Sequence, residues 1–230
     1  MSKKDTVFTG FTPSTFQFFK DLKENNNKEW FDSHKHIYES ELLNPLKALV
    51  TSLSPTMHNI DPAFELRPHR CLSRIYRDTR FSKNKDPYKE FMWMAFQIPV
   101  TTDVWKDYPG YFMEIREDSY TLGLGLFQPK KKVMDALREE ITYNAEEFRR
   151  VTQKTVLDRG YTVNGEMYKR PVPNDLPEYF QPWIQRKGIW VEKMMPKGKE
   201  LFSADFARMM AEDFKAMEWL YHFMKEVTQI

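Results

Sequence analysis

The sequence predicts an α+β protein with a mostly antiparallel sheet in the middle of the chain, flanked by N- and C-terminal helices. Helical apolar spacing dominates the first sixty and roughly the last hundred residues. Apolar runs of strand length lie between them. Strands that cluster in this way, without regular strand–helix alternation, favour α+β over α/β. We expect one domain over residues 1–230, because no long linker or internal repeat interrupts the chain.

The N-terminal region carries helix-start signals ahead of its apolar repeats. Thr12 can cap a first helix, and Pro13 suits the first helical position. Asn25-Asn26-Asn27 ends that helix and can cap the next one. Because proline removes a main-chain donor, Pro45 predicts either a kink or a new helix that begins there. Ser54-Pro55 predicts the end of this region.

Strand patterns occupy the chain between about residues 64 and 128. Residues 91–100 are nearly all apolar, as in a buried strand, while 110–117 and 120–128 form a hairpin pattern around Asp118-Ser119. In the second hairpin strand, Gly123 and Gly125 share one face. Two glycines leave a groove there that another backbone or a ligand can approach.

The last hundred residues return to helical patterns with a polar interval. Apolar spacing predicts helices over 129–141 and from Asn144 to Leu157. Ser203 can cap a final helix. The interval between them is rich in proline, glycine and charge, and short strands are expected around 161–163 and 189–191.

Composition excludes several classes of protein. A hydrophobic share of 41% and an aromatic share of 15% argue against a disordered chain. No run of about 18 apolar residues exists that could cross a membrane. The single cysteine, Cys71, excludes an internal disulfide and a cysteine-based zinc cluster, and no base partner for it is evident. We therefore expect a cytoplasmic protein with no metal, no cofactor and no membrane partner.

Charge is balanced overall but concentrated locally. The chain has 35 basic and 33 acidic residues, a net charge of +2, which gives no case for a dedicated nucleic-acid protein. Between Arg67 and Lys89, however, eight basic residues face two acidic ones. This local excess of +6 indicates a site for an anionic partner.

The segment from Arg74 to Lys89 is the candidate site. Arginine presents a rigid fork of donors that matches phosphate or carboxylate. Arg74, Arg77 and Arg80 recur every three residues. In a helix they would line one side, whereas in an extended chain Arg74 and Arg80 would share a face and Arg77 would point away. Residues 82–87 are typical of a turn, whose main-chain N–H groups can also bind an anion.

The same segment contains a long and specific string: Arg77-Asp78-x-Arg80-Phe81-Ser82-x-x-Lys85-x-Pro87-Tyr88-Lys89. Shorter matches include Glu29-Trp30-Phe31 and Gly123-x-Gly125-Leu126-Phe127. On these motifs the chain resembles an uncharacterised family, domain of unknown function 2461, over nearly its whole length. The resemblance implies a single α+β domain and marks the motif, and it implies no substrate. This chain has Asn84 where the family commonly has aspartate.

Our first hypothesis is a protein that binds, and could process, a small phosphorylated or carboxylated ligand at this loop. The candidate catalytic residues are Asp78, which could orient an arginine or act as a base, and Tyr88, which could donate a hydrogen bond or stack. Trp30 and the Gly123/Gly125 face would form a wall. The candidate ligand-binding residues are Arg74, Arg77, Arg80, Ser82, Lys85, Lys89, Trp30, Gly123 and Gly125.

Two other functions fit the same segment. RNA or DNA could bind to the basic stretch with aromatic side chains available to stack, and binding would then depend steeply on salt. Alternatively, Asp78 and Asp86 could pair the cations into an internal structural network that needs no ligand. That network would place the arginines in buried, fully paired positions. The sequence leaves the oligomeric state and any reaction open.

Overall fold

The computed structural model describes residues 7–80, 83–100 and 102–229. It confirms the α+β prediction, because helices at both ends of the chain flank a five-stranded antiparallel sheet. Within these described residues, no helix combines the length and apolar character needed to cross a membrane.

Three helices come first along the described chain: α1 (Pro13–Glu24), α2 (Lys28–Ile37) and α3 (Asn44–Ile60). The predicted start signals Pro13 and Asn27 are confirmed. Pro13 occupies the first turn of α1, where an N–H group would have no helical acceptor. Asn27 caps α2, since its side-chain oxygen accepts a hydrogen bond from the N–H of Trp30 at 3.0 Å.

A π-helical segment, Tyr38–Leu43, joins α2 to α3 directly before Pro45. Pro45 has no N–H to donate to the carbonyl of Glu41, four residues earlier. The buried hydroxyl of Thr15 donates to that carbonyl instead, at 2.6 Å. The interruption predicted at Pro45 is therefore this short π-helical segment, after which α3 begins.

The predicted end of the region at Ser54-Pro55 is wrong. The helix α3 continues through Pro55 to Ile60, and its last two turns bury Met57 and Ile60. A proline inside a helix costs about 3 kcal/mol. Burying each large apolar side chain contributes about 1.5–3 kcal/mol, so core packing outweighs the local penalty.

The sheet contains five strands in the spatial order β1-β2-β3-β5-β4. The strands are β1 (Met92–Phe96), β2 (Gly110–Ile115), β3 (Ser119–Leu126), β4 (Thr162–Asn164) and β5 (Ile189–Pro196). The hairpin of β2 and β3 is confirmed. The expected limits of the sheet, 64–128, are too narrow, because β4 and β5 pair with each other and Val163 lies opposite Val191.

Further helices follow α3 along the chain, and the last two of them are consecutive. The helices after α3 are α4 (Pro68–Cys71), α5 (Lys131–Tyr143), α6 (Ala145–Thr152), α7 (Gln181–Ile184), α8 (Asp205–Ala216) and α9 (Glu218–Glu226). Ser203, predicted to cap the final helix, accepts a hydrogen bond at 3.1 Å from the N–H of Asp205, the first residue of α8. The single final helix of the prediction is divided at Met217.

Two compact units, each with an aromatic core, make up the chain. The first takes the chain up to Phe96 together with Phe112–Thr121 and Met194–Glu212, and in it Phe8 packs edge-on against Phe11 at 5.2 Å. The second takes Gln97–Tyr111, Leu122–Lys193 and the chain from Asp213, and in it Phe148 contacts Trp183 at 4.9 Å. A single domain over 1–230 stays a prediction.

Candidate functional site

The candidate segment forms an irregular antiparallel ribbon in the first unit. The N–H of Arg77 donates to the carbonyl of Pro87, and the N–H of Lys89 donates to that of Ile75, both at 2.8 Å. These two bonds flank a bridge between Tyr76 and Tyr88. The chain is therefore extended at Arg77, and the helical alternative for the arginine series is wrong.

An asparagine from the junction of α1 and α2 anchors this ribbon. The side-chain oxygen of Asn26 accepts from the N–H of Tyr88 at 3.0 Å, and its amide nitrogen donates to the carbonyl of Tyr88 at 3.1 Å. The ring of Tyr88 is only 2% exposed and stacks on Phe31 with centroids 4.1 Å apart. The junction therefore fixes both the main chain and the ring of Tyr88.

The hydroxyl of Tyr88 belongs to a group of phenols at the start of the ribbon. Burial, and then the nearby charges of Tyr76 and Asp32, raise the pKa of Tyr88. Burial likewise raises the pKa of Tyr38 to about 12. Like an ordinary tyrosine hydroxyl, both are protonated at neutral pH, so Tyr88 can serve as a hydrogen-bond donor and not as a base.

The carboxylate of Asp78 is a partner of Arg80. The Arg80 guanidinium donates to both of its oxygens, at 3.0 and 2.7 Å, and the Arg80 N–H donates at 3.2 Å. These hydrogen bonds hold the pKa of Asp78 at about 2. The geometry favours the arginine-orienting role for Asp78 over the role of a base, because so acidic a carboxyl group takes up a proton poorly at neutral pH.

Within the range where a turn was predicted, the described part of the ribbon's tip contains an Asx turn at Asn84. The side-chain oxygen of Asn84 accepts a hydrogen bond from the N–H of Asp86 at 2.7 Å. The ammonium group of Lys85 donates to the carbonyl of Thr79 at 2.8 Å, so Lys85 closes this loop from within. Ser82, a candidate ligand-binding residue, lies outside the described residues.

Three cations of the segment behave differently: Arg74, Arg77 and Lys89, which we call the cation triad. Among the residues that the structure describes, none of the three forms an ion pair with a carboxylate. Arg77 donates one hydrogen bond, to the carbonyl of Tyr88 at 3.2 Å, while its Nε is buried and has no acceptor within the described chain.

The environment of Lys89 reflects its burial and the charges of the other two cations. Lys89 is half-buried, and its ammonium group lies 5.8 Å from the ring centroid of Phe91. Burial, followed by the positive charges of Arg74 and Arg77, lowers the pKa of Lys89. An anion bound here would reduce both this repulsion and the cost of the buried charge.

The expected wall residues have packing partners of their own. Trp30 stacks on His34, with ring centroids 4.2 Å apart. A Cβ at Gly125 would lie 2.3 Å from the Cα of Trp190, so the backbone of β5 occupies that side of the glycine. The sequence left open whether another backbone or a ligand approaches the glycine face. At Gly125 it is another backbone, that of β5. Gly123 is buried in β3, and its part in a ligand site stays a prediction.

Sequence reasoning missed two features of the site. One is the anchoring by Asn26, which no local pattern indicates because Tyr88 lies 62 residues away. The other is Tyr38, which could have been found, since it follows Phe31 by two helical turns and so belongs on the same face. The thiol of Cys71 is buried, and burial raises its pKa to about 12, which leaves it unreactive at neutral pH.

The fold and the site define a class of protein: an α+β protein with a ribbon that carries clustered cations lacking carboxylate partners in the described chain. A family model for a conserved hypothetical protein, DUF2461, matches residues 14–223. The chain belongs to this family, which confirms the resemblance found in its motifs. Comparison with curated proteins gives no match.

Proposed function

We propose that this protein binds a small phosphorylated or carboxylated ligand at the cation triad. One observation carries the proposal: in the described chain Arg74, Arg77 and Lys89 have no carboxylate partner, and the Nε of Arg77 is buried without an acceptor. Buried charged donors are ordinarily paired. An anion at the exposed Arg74 and the half-buried Lys89 would compensate the positive charge that these residues share with Arg77.

The internal-network hypothesis accounts for other cations of the same ribbon. Arg80 pairs with Asp78, and Lys85 donates to the carbonyl of Thr79. These contacts need no ligand. They do not involve the triad. The ribbon therefore has cations with partners inside the ribbon at its tip, and the triad at its base.

The triad suits an anion with several oxygens. Arg74 is exposed, and its planar guanidinium can donate two parallel hydrogen bonds to one phosphate or carboxylate. Each hydrogen bond to a charged group contributes about 1.5–3 kcal/mol. Catalytic roles for Asp78 and Tyr88 stay predictions, with Tyr88 as a hydrogen-bond donor and Asp78 as the group that orients Arg80.

Thermal shift measurements with inorganic phosphate, sugar phosphates, nucleotides and dicarboxylates test the proposal. Potassium chloride at matched ionic strength serves as the blank. A ligand at 100 times its Kd adds about 2.7 kcal/mol to stability, and about 2–4 °C in Tm accompanies each kcal/mol for a protein of this size. We expect at least one of these anions to raise the Tm by several degrees beyond the blank.

Two arginine variants make the test specific. Arg74→Gln removes a triad cation that forms no hydrogen bond or ion pair in the described chain, so the fold should persist and the anion shift should fall. Arg208→Gln removes the same charge from an exposed arginine paired with Glu212 at 2.8 Å, and should keep the shift. Equal shifts in both variants, or no shift in the wild type, would overturn the proposal.

A further inference from the structure

Tyr76 lies in the chain between two members of the triad, and its ring can contact the organic part of a ligand. Its side chain is 57% exposed, although its sequence neighbour Ile75 is buried. A large aromatic side chain left open beside clustered cations is a feature that phosphate binding alone does not use. The inference drawn from it rests on the proposed function and concerns the same site.

The ring of Tyr76 is supported on its inner side. It packs against Tyr88 with centroids 5.4 Å apart and against Phe31 at 6.1 Å. Its main chain is fixed by the bridge to Tyr88, which Asn26 anchors in turn. An aromatic ring with a packed inner side and an exposed outer one is a rigid platform, so stacking on it costs little additional ordering.

The platform lies within reach of the triad. An extended chain spans at most about 3.6 Å per residue, so the Cα of Tyr76 lies within about 7 Å of that of Arg74 and one residue from that of Arg77. Arg74 and Tyr76 are both exposed and lie two residues apart, so they share a face of an extended chain, and a single small molecule can contact the ring and the guanidinium of Arg74 together. Every nucleobase has a flat face that stacks on aromatic side chains, and such stacking changes affinity roughly five- to 150-fold.

We propose that the cation triad and Tyr76 together bind a mononucleotide, with its phosphate on the triad and its base stacked on the tyrosine ring. A phosphate monoester carries a charge of about −1.5 to −2 at neutral pH and three acceptor oxygens. It therefore balances the three positive charges better than one carboxylate does. The base adds the apolar contact that Tyr76 offers.

Calorimetric titration with AMP and ribose 5-phosphate separates the two contributions. The wild type should bind AMP at least about fivefold more tightly than ribose 5-phosphate. Tyr76→Leu should remove this preference and leave the affinity for ribose 5-phosphate within twofold. Tyr76→Phe keeps the ring and should retain the preference, as should Tyr143→Leu, which changes a tyrosine that is 87% exposed in α5.

The possible failures are distinguishable. Equal affinity for AMP and ribose 5-phosphate would refute the mononucleotide inference and leave anion binding intact. No binding of either compound, of phosphate or of dicarboxylates would refute the proposed function as well. Affinity for a ten-nucleotide RNA far above that for AMP, with a steep salt dependence, would overturn the small-ligand reading in favour of nucleic-acid binding.

Discussion

The anchoring of the ribbon by Asn26 can be tested by removing its amide. Asn26→Ala deletes the acceptor of the Tyr88 N–H and one donor to the Tyr88 carbonyl. The carbonyl keeps its hydrogen bond from Arg77, so losing the bond from Asn26 costs about 1 kcal/mol. The N–H is left unpaired next to a ring that is 2% exposed, which costs about 1–3 kcal/mol. We expect a loss of about 2–4 kcal/mol in the free energy of unfolding.

Urea denaturation of the wild type and matched variants measures this loss. Asn25→Ala is the control, because the side chain of Asn25 is exposed and makes one hydrogen bond, to the carbonyl of Asp21 at 2.9 Å. The free energy of unfolding of Asn25→Ala should fall by less than about 1 kcal/mol. Asn26→Asp keeps an acceptor for the N–H and loses the donor, so its stability should lie between those of Asn26→Ala and the wild type.

A result in which Asn26→Ala and Asn25→Ala differ by less than about 0.5 kcal/mol would refute the reasoning. It would mean that water or a shifted main chain replaces the amide of Asn26 at no cost. The orientation of the ribbon would then depend on ring packing alone.

Three other results follow from the structure. Asp78→Asn should strengthen phosphate binding severalfold in calorimetry, because it releases Arg80 and removes a negative charge near Arg74; lost binding would contradict this. Hydrogen bonds from Arg67 hold the pKa of Glu65 at about 2, below its usual 4.5. Stability from this pair is present above pH 4.5 and lost towards pH 2, so Glu65→Gln should flatten the acid limb of unfolding followed by circular dichroism. A single domain should give one calorimetric transition with equal calorimetric and van't Hoff enthalpies, and two transitions would contradict it.

Local signals predicted much of the fold, because they act within one or two turns. Pro13 and Asn27 start helices by satisfying or avoiding main-chain donors at their own positions. Pro55 misled for the opposite reason, since the packing that keeps α3 intact comes from residues distant in sequence. The strands β4 and β5 were placed near their observed positions, and their membership of the sheet depended on pairing that no local pattern contains.

The sequence likewise predicted one part of the candidate site and not another. The local excess of basic residues predicted the segment, but it did not indicate which cations pair with a group of the same segment. Asp78 selects Arg80, two residues away, while Arg74 is left with no ion pair in the described chain. That choice depends on the path of the main chain, which in turn depends on Asn26 in another part of the sequence.

The π-helical segment Tyr38–Leu43 sets the rotational phase between the two helices that it joins. One residue turns an α-helix by about 100°, and a π-helical turn accommodates one residue more than an α-helical turn does. The π-helical turn therefore takes up one extra residue while the apolar stripes of α2 and α3 still face the same core. Deleting a single residue from 38–43 should convert the segment to ordinary α-helix and keep Leu46, Leu49 and Leu53 in register with the core, whereas a deletion within α3 itself should rotate the residues on one side of it by about 100°. The hydroxyl of Thr15 on the carbonyl of Glu41 thus helps to keep two helices in phase.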